Sequence, residues 1–120
     1  MNWQLDCAYN EAQKRTFHAT AQSRLRQLAI IELQLEPSSF DIRSNKAGIA
    51  VSGEITLHHE NVYVQVSQPF GGFDSGILIR TCNGRRDYTG GHNHFAPLTL
   101  LDDITALAAR VRVVMGVEKP

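Results

Sequence analysis

A chain of 120 residues, 42% apolar and 20% charged, has the make-up of one ordinary globular domain, able to bury about two-thirds of its unfolded surface. Twelve basic side chains balance twelve acidic ones, which excludes a protein whose whole surface is a nucleic-acid footprint but leaves room for a local basic patch. Cys7 and Cys82, with no C-x-x-C spacing, exclude a four-cysteine metal site, and no apolar run approaches the length of a membrane span.

The first residues show no basic stretch followed by an apolar run, so no leader is expected, and reduced thiols in a cytoplasmic protein are the simplest reading. From about Asn10 to Leu35, the residues Phe17, Ala21, Leu25, Leu28, Ile31 and Leu35 recur at three- and four-residue steps. That is the apolar face of an α-helix. Asn10, with Gln13 three positions on, predicts its N-cap. Pro37 predicts its end, because the residue before a proline is pushed out of the helical region. A competing strand pattern runs through the last two turns, where Ile31, Leu33 and Leu35 alternate with Glu32, Gln34 and Glu36.

Residues 40–44 predict a short edge strand, and residues 45–48 a turn. Ile49, Val51, Ile55 and Leu57 then alternate with Ala50, Ser52, Glu54 and Thr56, the pattern of a half-buried strand. Gly53 interrupts the apolar side and marks a bulge or a close backbone approach. Residues 58–61, beginning with His58 and His59, predict a hairpin connection. Val62, Val64 and Val66 define the next strand, residues 69–76 a breaker-rich loop, and residues 77–82 a strand apolar on both sides at its start. A final helix is capped by Asp102 or Asp103, carries Ile104, Leu107, Ala108, Val111, Val114 and Met115 on one stripe, and ends at Gly116. Arg110 and Arg112 lie late in it, where positive charge complements the dipole. The expectation is a single α+β domain over residues 1–120. It is a three- or four-stranded antiparallel meander with an N-terminal and a C-terminal helix packed on one face.

Between the last strand and the last helix, residues 83–97 have no periodicity of their own. Connections of that length inside a compact domain are usually functional or disordered, and Tyr88 and Phe95 argue for order. With Arg80 just before it, the segment gathers Arg85, Arg86, Asp87, His92 and His94 around the glycine pair Gly90-Gly91. Asn83-Gly84 predicts a turn that holds the adjacent arginines at a strand end. Guanidinium groups recognise phosphate and carboxylate bidentately, and glycine-rich backbone offers N–H groups to an anion. Arg80, Arg85, Arg86, Tyr88, His92 and His94 are therefore the candidate contacts for an anionic partner. Phe70 and Phe73, beside Gly71-Gly72, are a second candidate contact.

Each has a structural alternative. Asp87 beside Arg86 would fasten the loop internally, Tyr88 and Phe95 would anchor it to the domain, and Arg80 would be a surface residue on a solvent face. Lys14, Arg15, Arg24 and Arg26 would extend a basic patch or form a solvated helix face. His92 and His94, at i and i+2, suit a metal chelate completed by His58, His59, Asp87 or Cys82, but no third ligand stands at a diagnostic spacing. Cys82 with His92 or His94 and Asp87 has the residue types of a cysteine hydrolase without any surrounding signature. A histidine base with Arg85 stabilising an anion would suit phosphate-ester hydrolysis. The expectation is a small regulatory or inhibitory protein, without cofactor, that binds a protein or nucleoprotein, nucleic acid included. Phage- or plasmid-type antagonists of host defence fit that description. The alternatives are a His/Arg-loop hydrolase and a His-based metal protein.

Overall fold

Helix α1 spans Glu11–Gln27 and buries Phe17, Ala21 and Leu25 completely, as its apolar spacing requires. It runs on into a π-helical turn, Leu28–Glu32, in a computed structural model that describes residues 11–46, 53–68, 75–87 and 90–117. The Leu33 N–H bonds the Leu28 carbonyl, and the Leu35 N–H returns to the Ala29 carbonyl across Gln34, which adopts φ 54°. The competing helix and strand patterns of this stretch thus resolve as a widened turn. It swings Ile31 off the apolar face to 64% exposure. A left-handed residue ends the helix before the proline does, and Pro37 opens the 3-10 turn Pro37–Ser39 instead. The expected N-cap, Asn10, lies outside the described residues.

Gln34 carries a side chain in a conformation that glycine adopts without penalty. Gln34→Gly is expected to stabilise the protein by about 1 kcal/mol and to raise Tm by about 4 °C in a thermal melt. An unchanged or lower Tm would show that the glutamine side chain contributes as much as its strain costs.

Among the described residues five strands form one antiparallel sheet in chain order: β1 Phe40–Asn45, β2 Glu54–His59, β3 Val62–Ser67, β4 Ile77–Thr81 and β5 His94–Ala96. The α+β meander is the expected class, with one strand more than the pattern predicts. β5 lies inside the segment read as an unpaired loop, and three residues are too few to display a period of two. Its pairing is set by Ala96, which lies opposite Ile77 and buries against the core. The β2–β3 connection is also shorter than expected. His58 and His59 belong to β2, leaving Glu60 and Asn61 as the turn.

One side of the sheet carries Phe40, Ile55, Leu57, Val62, Val64, Val66, Ile77, Ile79 and Ala96. These pack with Phe17, Leu25, Leu28, Leu107 and Val111 in a single core. Helix α1 lies against β1 and β2, and helix α2, Ile104–Met115, against β4. Asp103 caps α2 by accepting the Ala106 N–H, and Gly116 closes it at φ 80°. Gly53 fulfils its sequence signal. It has φ 74°, and a Cβ there would stand 2.3 Å from the Asn45 carbonyl oxygen. No helix among the described residues is long and apolar enough to cross a membrane.

Candidate functional site

The second side of the sheet faces away from both helices. Antiparallel register aligns Asp41, His58, Tyr63 and Arg80 in one row across β1 to β4. The Arg80 guanidinium lies 4.3 Å above the centre of the Tyr63 ring. That ring meets His58 edge-on at 5.2 Å, and its hydroxyl donates to Gln65 Oε1 at 2.7 Å. Arg80 is therefore half-buried over an aromatic pair and is not a freely solvated surface residue.

Beyond Thr81 the chain leaves the sheet and crosses the end of the β2–β3 hairpin as a strap. The Cys82 N–H bonds the Asn61 carbonyl at 3.1 Å, and its buried thiol donates to the His59 carbonyl at 3.1 Å. The turn itself lies one residue later than Asn83-Gly84 suggests. The Asp87 N–H closes on the Gly84 carbonyl, so Arg85 and Arg86 hold its two central positions. Asp87 completes it by accepting the Asn83 N–H at 2.9 Å.

The two arginines then diverge. Arg85 folds back across the sheet end, donating from Nη1 to the Ser38 carbonyl and from Nη2 to Asp41 Oδ1, each at 2.8 Å. Arg86 stands exposed at the turn. The internal arginine–carboxylate pair that fastens this loop is thus Arg85 with Asp41, not the adjacent Arg86 and Asp87 that the sequence suggests. Nothing in local spacing shows a partner 44 residues away. The returning chain passes so close to β4 that a Cβ on Gly91 would stand 2.5 Å from Thr81 Oγ1.

The strap covers two histidines. His58 takes a hydrogen bond at Nε2 with Thr56 Oγ1, 2.7 Å away, and its ring also bonds the Arg85 main chain. Burial first, then the charge of Arg43 and of Arg80, lowers its pKa to about 4, against the opposing pull of Asp41. His59 accepts the Asn61 N–H at Nδ1. Burial lowers its pKa as well, aided by Arg85 and opposed by Glu60. Thr56 and His58 resemble a hydroxyl–base pair, yet both are buried, at 7% and 4% exposure. An open depression of about 550 Å3 does lie beside the strap, lined by Glu60, Asn61, Cys82, Asn83, Gly84 and Arg85.

The remaining candidates fall at the β5 end. His92, Asn93, His94 and Phe95 are all exposed. His94 pairs with Ile79 and Phe95 with Leu78, so the two point to opposite sides of the edge strand. Phe95 is 55% exposed and is not the apolar anchor expected of it. Ala96 and Leu98, at 2% and 0%, hold the segment to the core. Among the described residues no group of three histidine, cysteine or acidic side chains is placed to hold a metal ion. Tyr88, Phe70 and Phe73 lie outside the described residues, as does Cys7.

Sequence reasoning missed Ser38, Asp41, Thr56 and Tyr63, and it weighed His58 only as a hairpin residue or a third metal ligand. The alternation of Glu54, Thr56 and His58 marks a polar side of β2, and that was the available signal. Fold and site together define the class: a two-layer α+β protein whose β4–β5 connection straps one end of the sheet and carries exposed cationic and imidazole side chains. No known protein family, curated protein or solved structure matches the chain.

Proposed function

We propose that the chain is a small cytoplasmic binding protein, regulatory or inhibitory and not enzymatic, that holds an acidic or phosphate-bearing macromolecular partner through Arg86, His92, His94 and Phe95. The supporting observation is the sorting of side chains along one stretch of backbone. Arg80 and Arg85 turn into the molecule, while Arg86, His92, His94 and Phe95 stay exposed. A strap pinned by Arg85, Cys82 and close glycine packing presents those groups without the ordering cost that a flexible loop would carry into binding. The Arg86 guanidinium suits phosphate or carboxylate, and Phe95 suits an apolar or stacking contact. Arg85 becomes a positioning residue in this reading. A hydrolase using Arg85 to stabilise an anion would first have to release it from Ser38 and Asp41.

The test titrates purified protein with single-stranded and duplex nucleic acid and with an acidic polypeptide, at two salt concentrations. Binding to a phosphate-bearing partner weakens steeply with salt. Arg86→Ala is expected to reduce affinity for whichever polyanion binds by about tenfold, and His92→Ala/His94→Ala to reduce it further. Full affinity in the triple variant, or no binding to any polyanion at low salt, would reject this surface.

A further inference from the structure

We infer that Asn83-Gly84 is a modification site, at which the chain converts Asn83 to aspartate and isoaspartate by attack of its own backbone and thereby loosens the strap.

Among the asparagines of the chain only Asn83 is followed by glycine. Attack by a main-chain nitrogen on the preceding side-chain amide is hindered by any side chain on the attacking residue, and glycine has none. Three features of the folded protein leave the reaction open. The Asn83 side chain belongs to an exposed residue on the rim of the depression. Gly84 has φ 146°, and a Cβ built on it would meet nothing within 4 Å apart from its chain neighbours, so no other part of the molecule crowds its Cα. Among the described residues the Gly84 N–H has no backbone acceptor. The positive charges of Arg85 and Arg86, next in the chain, favour the deprotonated amide that performs the attack.

The chemistry needs only water. The Gly84 nitrogen bonds to Asn83 Cγ, the Cγ–Nδ2 bond breaks, and ammonia leaves with the amide proton, closing a succinimide. Water then opens the ring at one of its two carbonyls. Opening at one returns the normal backbone with an aspartate side chain, and opening at the other routes the backbone through Cβ and Cγ as isoaspartate.

The strap makes this consequential. Cys82, immediately before the site, is held on the Asn61 and His59 carbonyls. Arg85, two residues after it, is held on Ser38 and Asp41 at 2.8 Å. Isoaspartate adds one methylene to the backbone between these anchors, and both cannot keep their bonds around a longer path. Either product also places a new carboxylate near Glu60 and Asp87. The inference does not depend on Arg86 contacting a partner.

The experiment ages the full chain in mildly acidic and mildly alkaline buffer beside a synthetic peptide of residues 80–87. Trypsin then releases fragment 81–85, and mass and chromatography separate its asparaginyl, aspartyl and isoaspartyl forms. Conversion is expected at Asn83 alone, faster in alkali, at a rate within about tenfold of the peptide's. Asn83→Gln is expected to abolish it. Amide hydrogen exchange in β1 should quicken in the aged wild type but not in aged Asn83→Gln, and Asn83→Asp separates the effect of charge from that of length. Intact Asn83 in the folded chain after the peptide has been consumed would overturn the inference. So would conversion with no change in β1 exchange.

Discussion

Replacing Gly90 by alanine is expected to destabilise the protein by about 3 kcal/mol, read as a fall in the urea midpoint. An added Cβ would stand 2.6 Å from Asp87 Oδ2, 2.7 Å from the Thr81 carbonyl oxygen and 3.0 Å from the Cys82 Cα. Two of these three neighbours are backbone and cannot rotate away. The returning limb of the strap must therefore lift from β4, and Asp87 must give up the Asn83 N–H that closes the turn. Arg85, on the same turn, loses its hold on Ser38 and Asp41, and the cover over His58 goes with it. Asn93→Ala, an exposed site three residues on, should move the midpoint by less than about 0.5 kcal/mol. If the two variants unfold at the same urea concentration, the strap is not packed as described.

Acid should weaken the fold through His58. In the unfolded chain the ring takes its proton near pH 6.5, whereas in the folded protein it stays neutral until about pH 4. The unfolded state therefore binds more protons across that window, and stability falls as pH is lowered through it. The contribution of the neutral ring is complete above about pH 6.5 and levels off below about pH 4; after allowance for solvent at the sheet end it is on the order of 2 kcal/mol. The charges facing the ring explain the direction. The burial itself, Arg43 on β1 and Arg80 on β4 oppose a positive charge on the ring, and Asp41 and the hydrogen bond to the Arg85 main chain favour one less strongly. His59 shifts the same way and adds to the slope. His58→Gln keeps an acceptor for Thr56 and a donor for the Arg85 main chain but cannot titrate. Urea midpoints from about pH 7.5 to about pH 4 should fall less in the variant than in wild type. Parallel profiles would remove His58 as the source.

Phe17, Ala21 and Leu25 predict the buried face of α1 from spacing alone, because an apolar stripe has only one way to leave water. The alternation of Val62, Val64 and Val66 and the stripe from Ile104 to Val111 are equally plain. Gly53 announces its own tight approach. The candidate site was legible as a place and not as an arrangement. Residues 80–94 stood out as an aperiodic polar stretch, but whether a guanidinium there points outward is decided by residues far away in the chain. Arg85 is turned inward by Ser38 and Asp41, and Arg80 by Tyr63. The π-helical end of α1 was hidden for a related reason. Its sequence suits a helix and a strand alike, and packing of Leu28 and Ala29 into the core chose the widened turn.

Local sterics and hydrophobic period, properties of neighbours along the chain, therefore sufficed for the α+β class, for both helices and for the location of an exposed, chemically rich connection. Only tertiary structure decided the row Asp41–His58–Tyr63–Arg80, the anchoring of Arg85 on Ser38 and Asp41, and the short strand β5. Each depends on antiparallel register and on contacts across tens of residues, and those are energies between strands that no window of sequence contains.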